Sequence, residues 1–297
     1  MHIENICKNV SKQVSVLRKL KYVLNRRTLD KIYRAYILPL LEYCCEVWDG
    51  CTLGDADNLE KLQLESIRII TGLPSYASRV SLYSESGLEP LVNRRKNRKL
   101  QLFFKIQANL TPNYLSALLP PLVSQNVEYN LRNANHYSLP NFRLQLSNSS
   151  FFPSTIRLWN NLDPGIRQSR SAPAFKNSLR KLNDINIPSY YLFGDRKSNI
   201  LHARLRTNSS TLNDDLFHAN LIDFQICHCG HSIENAFHFF FICNKYIDQR
   251  IKWYRELNDF IPLDLQLILH GSHELSKADN EKIFLHTQKY IHDTNRF

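Results

Sequence analysis

NRRKNRKLQLFFKI, residues Asn93 to Ile106, opens with Arg94, Arg95, Lys96, Arg98 and Lys99 and continues with Leu100, Leu102, Phe103, Phe104 and Ile106. The spacing predicts one amphipathic helix whose first turns are basic and whose later turns face a core. Its five cations can contact phosphates, or they can form a solvated helix face. The same period recurs outward in both directions. Val10, Val14, Leu17, Leu20 and Leu24, with Lys12, Arg18, Lys19 and Lys21 interleaved, predict a first helix. A second begins at about Thr28 with the wide apolar face Leu29, Ile32, Tyr33, Tyr36, Ile37, Leu40 and Leu41. Pro39 is expected to kink it or to end its regular hydrogen bonding. A third opens near Asp55, a good N-cap residue, carries Leu59, Leu62, Ile69 and Ile70, and stops at Gly72.

Beyond the basic helix, residues 120–150 change character. Pro120-Pro121 starts a polar stretch with a short alternation at Phe142, Leu144 and Leu146, which predicts a loop or a small β-hairpin and an internal boundary. Helical signals return at PSTIRLWNNL (Pro153–Leu162), PAFKNSLRKL (Pro173–Leu182) and SNILHARLR (Ser198–Arg206), then around Tyr246–Leu257 and Asp279–His292. The expected fold is therefore mainly α and multi-helical, with a small β or loop segment. The expected partition is a basic helical region 1–119, a connector 120–150, a second basic helical region 151–210, and a last segment 211–297.

The chain has 297 residues, 43% of them hydrophobic, and only 8 glycines, which is enough for a sizeable core and argues against disorder. No run approaches the ~18 apolar residues of a membrane span, and MHIENICKNV has no apolar leader pattern, so no membrane partner and an intracellular place, nuclear or cytoplasmic, are expected. The net charge is +11, and it is uneven: residues 1–110 carry 18 Lys and Arg against 11 acids, 111–210 carry 12 against 4, and 211–297 carry 8 against 12. A polyanionic partner for the first two thirds is one reading; a soluble basic surface is the other.

The 7 cysteines are Cys7, Cys44, Cys45, Cys51, Cys227, Cys229 and Cys243. Three of them fall in CHCGHSIENAFHFFFIC, where Cys227, Cys229, His238 and Cys243 have the spacing C-x-C-x8-H-x4-C. Three thiolates and one imidazole form a donor set that tetrahedral Zn²⁺ prefers, and Gly230 permits the tight turn. The competing reading is buried thiols and a core histidine, with His228 and His231 as bystanders. Four protein ligands would close the coordination sphere, so the zinc expected is structural.

IYRAYILPLLEYCCEVWDG (Ile32–Gly50), with Pro39, Tyr43 and Trp48, resembles a landmark segment downstream of the polymerase domain in jockey-like non-LTR retrotransposon reverse transcriptases. LEKLQLESIRIITGLP (Leu59–Pro74), TPNYLSALLP (Thr111–Pro120), YNLRN (Tyr129–Asn133) and FFPSTIRLWNNLDPGIRQSRSAPAFKNSLRKL (Phe151–Leu182) follow in the order those elements have. In the last segment Phe152, Arg157, Trp159, Asn160, Leu162, Ile166 and Phe175 fall on recurring positions. LHARLRTNSSTLNDDLF then precedes the Cys-Cys-His-Cys knuckle, as a similar stretch does in that family, and NEKIFLHTQKYIHDTNRF looks like its C-terminus.

The resemblance implies a C-terminal region that helps the enzyme grip RNA or DNA beside a reverse transcriptase catalytic domain. The polymerase carboxylates would lie upstream of Met1, so no enzyme activity is expected of this chain. Asp214-Asp215 lacks the aromatic residue of the family's metal-binding turn and reads as surface or capping. For phosphate contact the expectation rests on Arg94, Arg95, Lys96, Arg98 and Lys99, with Arg18 and Lys19 as weaker candidates. Trp48 and Trp159 sit in apolar periodic settings and are expected in the core. The alternatives are a helical scaffold with little nucleic-acid affinity and a degenerate element relic without independent activity.

Overall fold

The computed structural model describes residues 2–126, 133–139, 141–182 and 186–297. Tyr129–Arg132 of the YNLRN segment lie outside the described residues. Helices dominate: His2–Leu20, Arg26–Ile32, Leu53–Thr71, Arg79–Ser86, Leu91–Gln107, Phe151–Asn160, Ala172–Leu182, Arg196–Arg206, Ile247–Glu256 and Lys277–Asp293 are the longer ones. Among the described residues the only strand-like pairing is one antiparallel bridge between Leu122 and Tyr137. The alternation at Phe142, Leu144 and Leu146 makes no strand. It leads into a short helix, Gln145–Ser149, with Leu144 and Leu146 exposed.

Local chemistry sets the helix ends. Asn25 caps the second helix by accepting from Thr28 N at 2.9 Å, so that helix opens at Arg26 rather than at Thr28. At the third, Thr52 does the capping: Asp55 N donates to its hydroxyl at 3.1 Å, and the hydroxyl donates back to the Asp55 carboxylate at 2.8 Å. Asp55 thus lies in the first turn and is not itself the cap. Gly72 ends the Leu53–Thr71 helix at φ +75, a conformation that favours glycine. Pro39 sits in the first turn of a short helix, Leu38–Glu42, that follows a π-turn at Tyr33–Ile37, where its missing N–H costs little.

The chain forms two compact units, each assembled from separated segments. The first contains Met1–Ser11, Ile37–Gln63 and Glu89–Ile185. Its core is aromatic: Phe103, Phe104, Trp159 and Phe175 are buried together with Tyr137, Ile156 and Leu179. Leu91–Gln107 contributes the first two rings and packs against both Phe151–Asn160 and Ala172–Leu182. Phe104 stacks on Phe175 with centroids 4.6 Å apart, and Phe103 meets Trp159 at 5.1 Å. Asn160 holds the Tyr137 main chain from both sides, accepting from its N–H and donating to its carbonyl, each at 3.0 Å.

The second unit contains Lys12–Tyr36, Leu64–Leu88 and Asn186–Phe297. Helices Arg196–Arg206, Ile247–Glu256 and Leu265–His270 all pack on Lys277–Asp293. Tyr290 is the hub. It stacks on Trp253 at 4.9 Å and on Phe240 at 5.6 Å, and its hydroxyl donates to Phe239 O at 2.9 Å. In the same unit a carboxylate, Glu85, is buried between Arg26 and Arg206, with contacts of 2.6 Å and 2.9 Å.

His202 is buried in the same unit. Its Nε2 lies 2.9 Å from the Ile268 carbonyl, and its ring is 4.3 Å from that of Phe284. Burial, followed by the nearby Arg206 charge, holds its pKa well below the ordinary 6.5. The folded state therefore keeps His202 neutral, while the unfolded chain takes up a proton as the pH drops through 6.5. Stability is expected to be full above that value and to be lost below it, by up to about 1.4 kcal/mol per pH unit. Burial shifts His270 in the same direction. Urea unfolding between pH 7 and pH 5 checks this; a slope against pH that is unchanged in His202→Gln would rule it out.

Candidate metal centre and the cation clusters

Two short pieces of chain build the cysteine–histidine cluster. In the first, Gly230 N donates to Cys227 O and Cys227 N donates to His231 O, each at 2.9 Å, closing a tight turn that presents Cys227 and Cys229. Gly230 turns at φ +92 in open space, so the constraint there is conformational rather than steric. In the second, Asn235 accepts from His238 N at 2.8 Å and starts a π-turn, His238–Ile242. The wide turn closes with Cys243 N donating to His238 O at 2.8 Å, which brings the imidazole and the last thiol to the same side. Phe239 and Phe240 anchor it in the core.

One ligand atom from each of Cys227, Cys229, His238 and Cys243 lies within 4.8 Å of all the others. Cys227 Sγ is 3.8 Å from Cys243 Sγ, and Cys229 Sγ is 3.3 Å from His238 Nε2. A zinc tetrahedron with Zn–S of about 2.3 Å and Zn–N of about 2.05 Å has S–S edges of about 3.8 Å and S–N edges of about 3.6 Å. The Cys227–Cys243 edge matches this geometry, the Cys229–His238 edge is about 0.3 Å short of it, and all four donors are near enough to share one ion. Cys227, His238 and Cys243 are buried and Cys229 is half-buried, so the centre has one side near solvent. His228 is exposed, and the His231 ring stacks on His238 at 4.3 Å while its Nδ1 accepts from Ile233 N at 3.3 Å; neither joins the ligand set.

Charged residues brace this cluster. Cys227 Sγ donates to Glu234 at 3.6 Å, and the same carboxylate is held by Arg296 through contacts of 2.6 and 2.8 Å. Arg250 donates to the carbonyls of Phe240 and Cys243, each at 2.7 Å. The ligand spacing in the sequence gives no sign of Glu234, Arg250 or Arg296. The one hint in the sequence is an arginine in an otherwise apolar helical face, at Arg250. In the metal-free protein, burial pushes the Cys227 thiol up to about 12 and raises Cys243 as well. A metal must therefore displace protons to bind.

The cations of the Leu91–Gln107 helix are mostly engaged. Arg94 and Arg98 both pair with the buried Glu42, Arg98 at 2.7 Å. Arg95 and Lys99 are themselves buried and converge on Asp49, at 2.7 and 2.5 Å. Lys96 is exposed and forms no ion pair among the described residues. Arg18 pairs with Glu65, and Lys19 is exposed. Trp159 is a core residue, but Trp48 is only half-buried: its indole N–H donates to Tyr43 O at 2.8 Å and its ring lies 5.8 Å from the Arg95 guanidinium. Asp215 accepts from both the N–H and the hydroxyl of Ser210, a loop-fastening role. Burial pushes the Cys45 thiol up to about 12, with Glu46 adding to the shift, which leaves it inert.

Among the described residues no helix is long and apolar enough to cross a membrane. Neither a protein-family model, nor a curated protein, nor a solved structure matches the chain.

Proposed function

We propose that the chain is a nucleic-acid-binding C-terminal region of a non-LTR retrotransposon reverse transcriptase, clipped by one structural zinc ion and without polymerase chemistry of its own. The observation that supports this best is the convergence of Cys227, Cys229, His238 and Cys243 at the place where the knuckle of the jockey-like elements falls. Zinc would contribute no reaction here. Four protein donors leave no position for water or substrate, so the ion's work is to hold a turn-rich segment in one conformation. RNA or DNA is the partner that fits a net charge of +11, and a catalytic domain carrying the palm carboxylates is the second.

Affinity for single-stranded RNA, measured across a salt series, tests the nucleic-acid half. Log affinity is expected to fall linearly with log salt, with a slope of about −0.7 per phosphate contact. Lys96→Gln is expected to take less than one contact from that slope, because a single exposed cation is at stake. A helical scaffold would show no binding even in dilute salt, and that result would overturn the nucleic-acid function.

A further inference from the structure

Five cations of the second unit line one cavity of about 410 Å³: Arg18, Lys21, Arg68, Arg196 and Arg204. Glu65 is the only carboxylate among its lining residues, and it is paired with Arg18. The other cations are held differently. Arg196 donates to the carbonyls of Ile69 and Ile70, at 2.7 and 3.3 Å, and Arg204 donates to Gly72 O at 2.9 Å. Carbonyls fix a guanidinium in place without cancelling its charge. Arg68 Nε is buried and has no hydrogen-bond partner. Burial lowers the pKa of Arg196 and of Arg204, as expected of guanidiniums that are partly withdrawn from water.

This is the opposite of the Leu91–Gln107 helix, where Glu42 and Asp49 neutralise the cations. Positive charge that carbonyls position and no carboxylate neutralises, as at Arg196 and Arg204, is suited to an anion with several oxygens. The cavity lies within the ~300–1,000 Å³ range of ligand pockets. Tyr22 stands at its rim, 81% exposed, with the Lys21 ammonium 4.9 Å from its ring centre. An exposed ring beside a basic cavity is the arrangement that takes a base and its backbone together.

We infer that this cavity is a phosphodiester site, in which Arg68, Arg196 and Arg204 hold a backbone phosphate of a single-stranded nucleic acid and Tyr22 stacks on the adjoining base. The inference rests on the proposed nucleic-acid function and deepens it by giving it a location.

Lys21 and Tyr22 are the residues to vary, because neither is buried and both should leave the fold intact. The probes are a fluorescein-labelled oligouridine and inorganic pyrophosphate, with the full chain in about 50 mM salt, where phosphate contacts are strong. Lys21→Gln with Tyr22→Ala is expected to weaken oligouridine binding on the order of tenfold, while Lys96→Gln changes it by less than about threefold. Ultraviolet crosslinking of bound oligouridine is expected to mark Tyr22. Tight binding that survives the double substitution would overturn the cavity and leave the nucleic-acid function standing. No oligouridine binding by the unaltered chain would overturn both. Pyrophosphate binding without oligouridine binding would show a small-polyanion site and overturn the strand assignment.

Discussion

Chelating zinc from the purified chain is expected to lower its thermal unfolding midpoint by about 10 °C or more, a loss of at least about 3 kcal/mol. The turn that carries Cys227 and Cys229 is polar and is held to the π-turn by the ligand atoms, the Cys227–Glu234 contact and the Glu234–Arg296 pair. Without a metal, the three thiols, all within 4.8 Å of one another, are joined directly only by weak S–H bonds, and each turn is left to its own main-chain hydrogen bonds. The purified protein should therefore contain about one zinc per chain. Cys243→Ser, at a fully buried corner, should abolish metal retention, and Cys229→Ser, at the half-buried corner, should weaken it. Metal analysis together with melting curves in chelator decides the matter. A chain that carries no zinc, and melts alike with and without chelator, would remove the metal centre.

Glu85→Ala is the second large effect expected, about 3–5 kcal/mol against the roughly 1 kcal/mol of an ordinary substitution. The Glu85 carboxylate is 1% exposed and bridges Arg26 and Arg206, themselves almost fully buried. Arg206 is further committed to Leu269 O at 2.6 Å and lies 3.7 Å over the Tyr191 ring, so it cannot leave for solvent without dismantling its surroundings. Burial alone would raise the Glu85 pKa, but the two guanidiniums overcome it and hold the carboxyl below its ordinary 4.5. The stabilisation is thus present above that value and is lost as the pH falls through the lower folded-state value. Glu85→Gln keeps the shape and part of the hydrogen bonding and should cost less. Chemical denaturation at pH 7 measures the loss, and an alanine variant within about 0.5 kcal/mol of the parent would show that the pair carries no weight.

The helices were legible because their apolar residues repeat at helical spacing, as in Val10–Leu17 and Leu100–Ile106. The stop at Gly72 and the ligand set at Cys227–Cys243 were legible for a related reason: each is written in neighbours along the chain. What escaped were relations between distant residues. Asp49 and Glu42 lie far along the chain from the cations they neutralise, so the densest basic run looked like an open patch. Asp55 had the right side chain for a cap, but the helix starts at Leu53, which puts Thr52 at the capping position and Asp55 inside the first turn. Trp48 sits in an apolar stretch, yet its indole reaches a carbonyl and an arginine at the surface of a core. The Arg18–Arg204 cavity draws on three stretches of sequence, and although the first, with Arg18, Lys19 and Lys21, is visibly basic, nothing along the chain shows that Arg68, Arg196 and Arg204 join it.

The interleaved make-up of the second unit bears on how the chain can be cut. A protein shortened to begin at residue 186 would keep the cysteines, the histidine and the Tyr290 hub. It would also keep Arg206 while discarding Glu85, its buried counter-ion, and would lose Gly72, whose carbonyl steadies Arg204. Such a fragment inherits a stranded charge inside an opened core. Anyone trimming this molecule to its cysteine–histidine end would be studying a lesion of their own making.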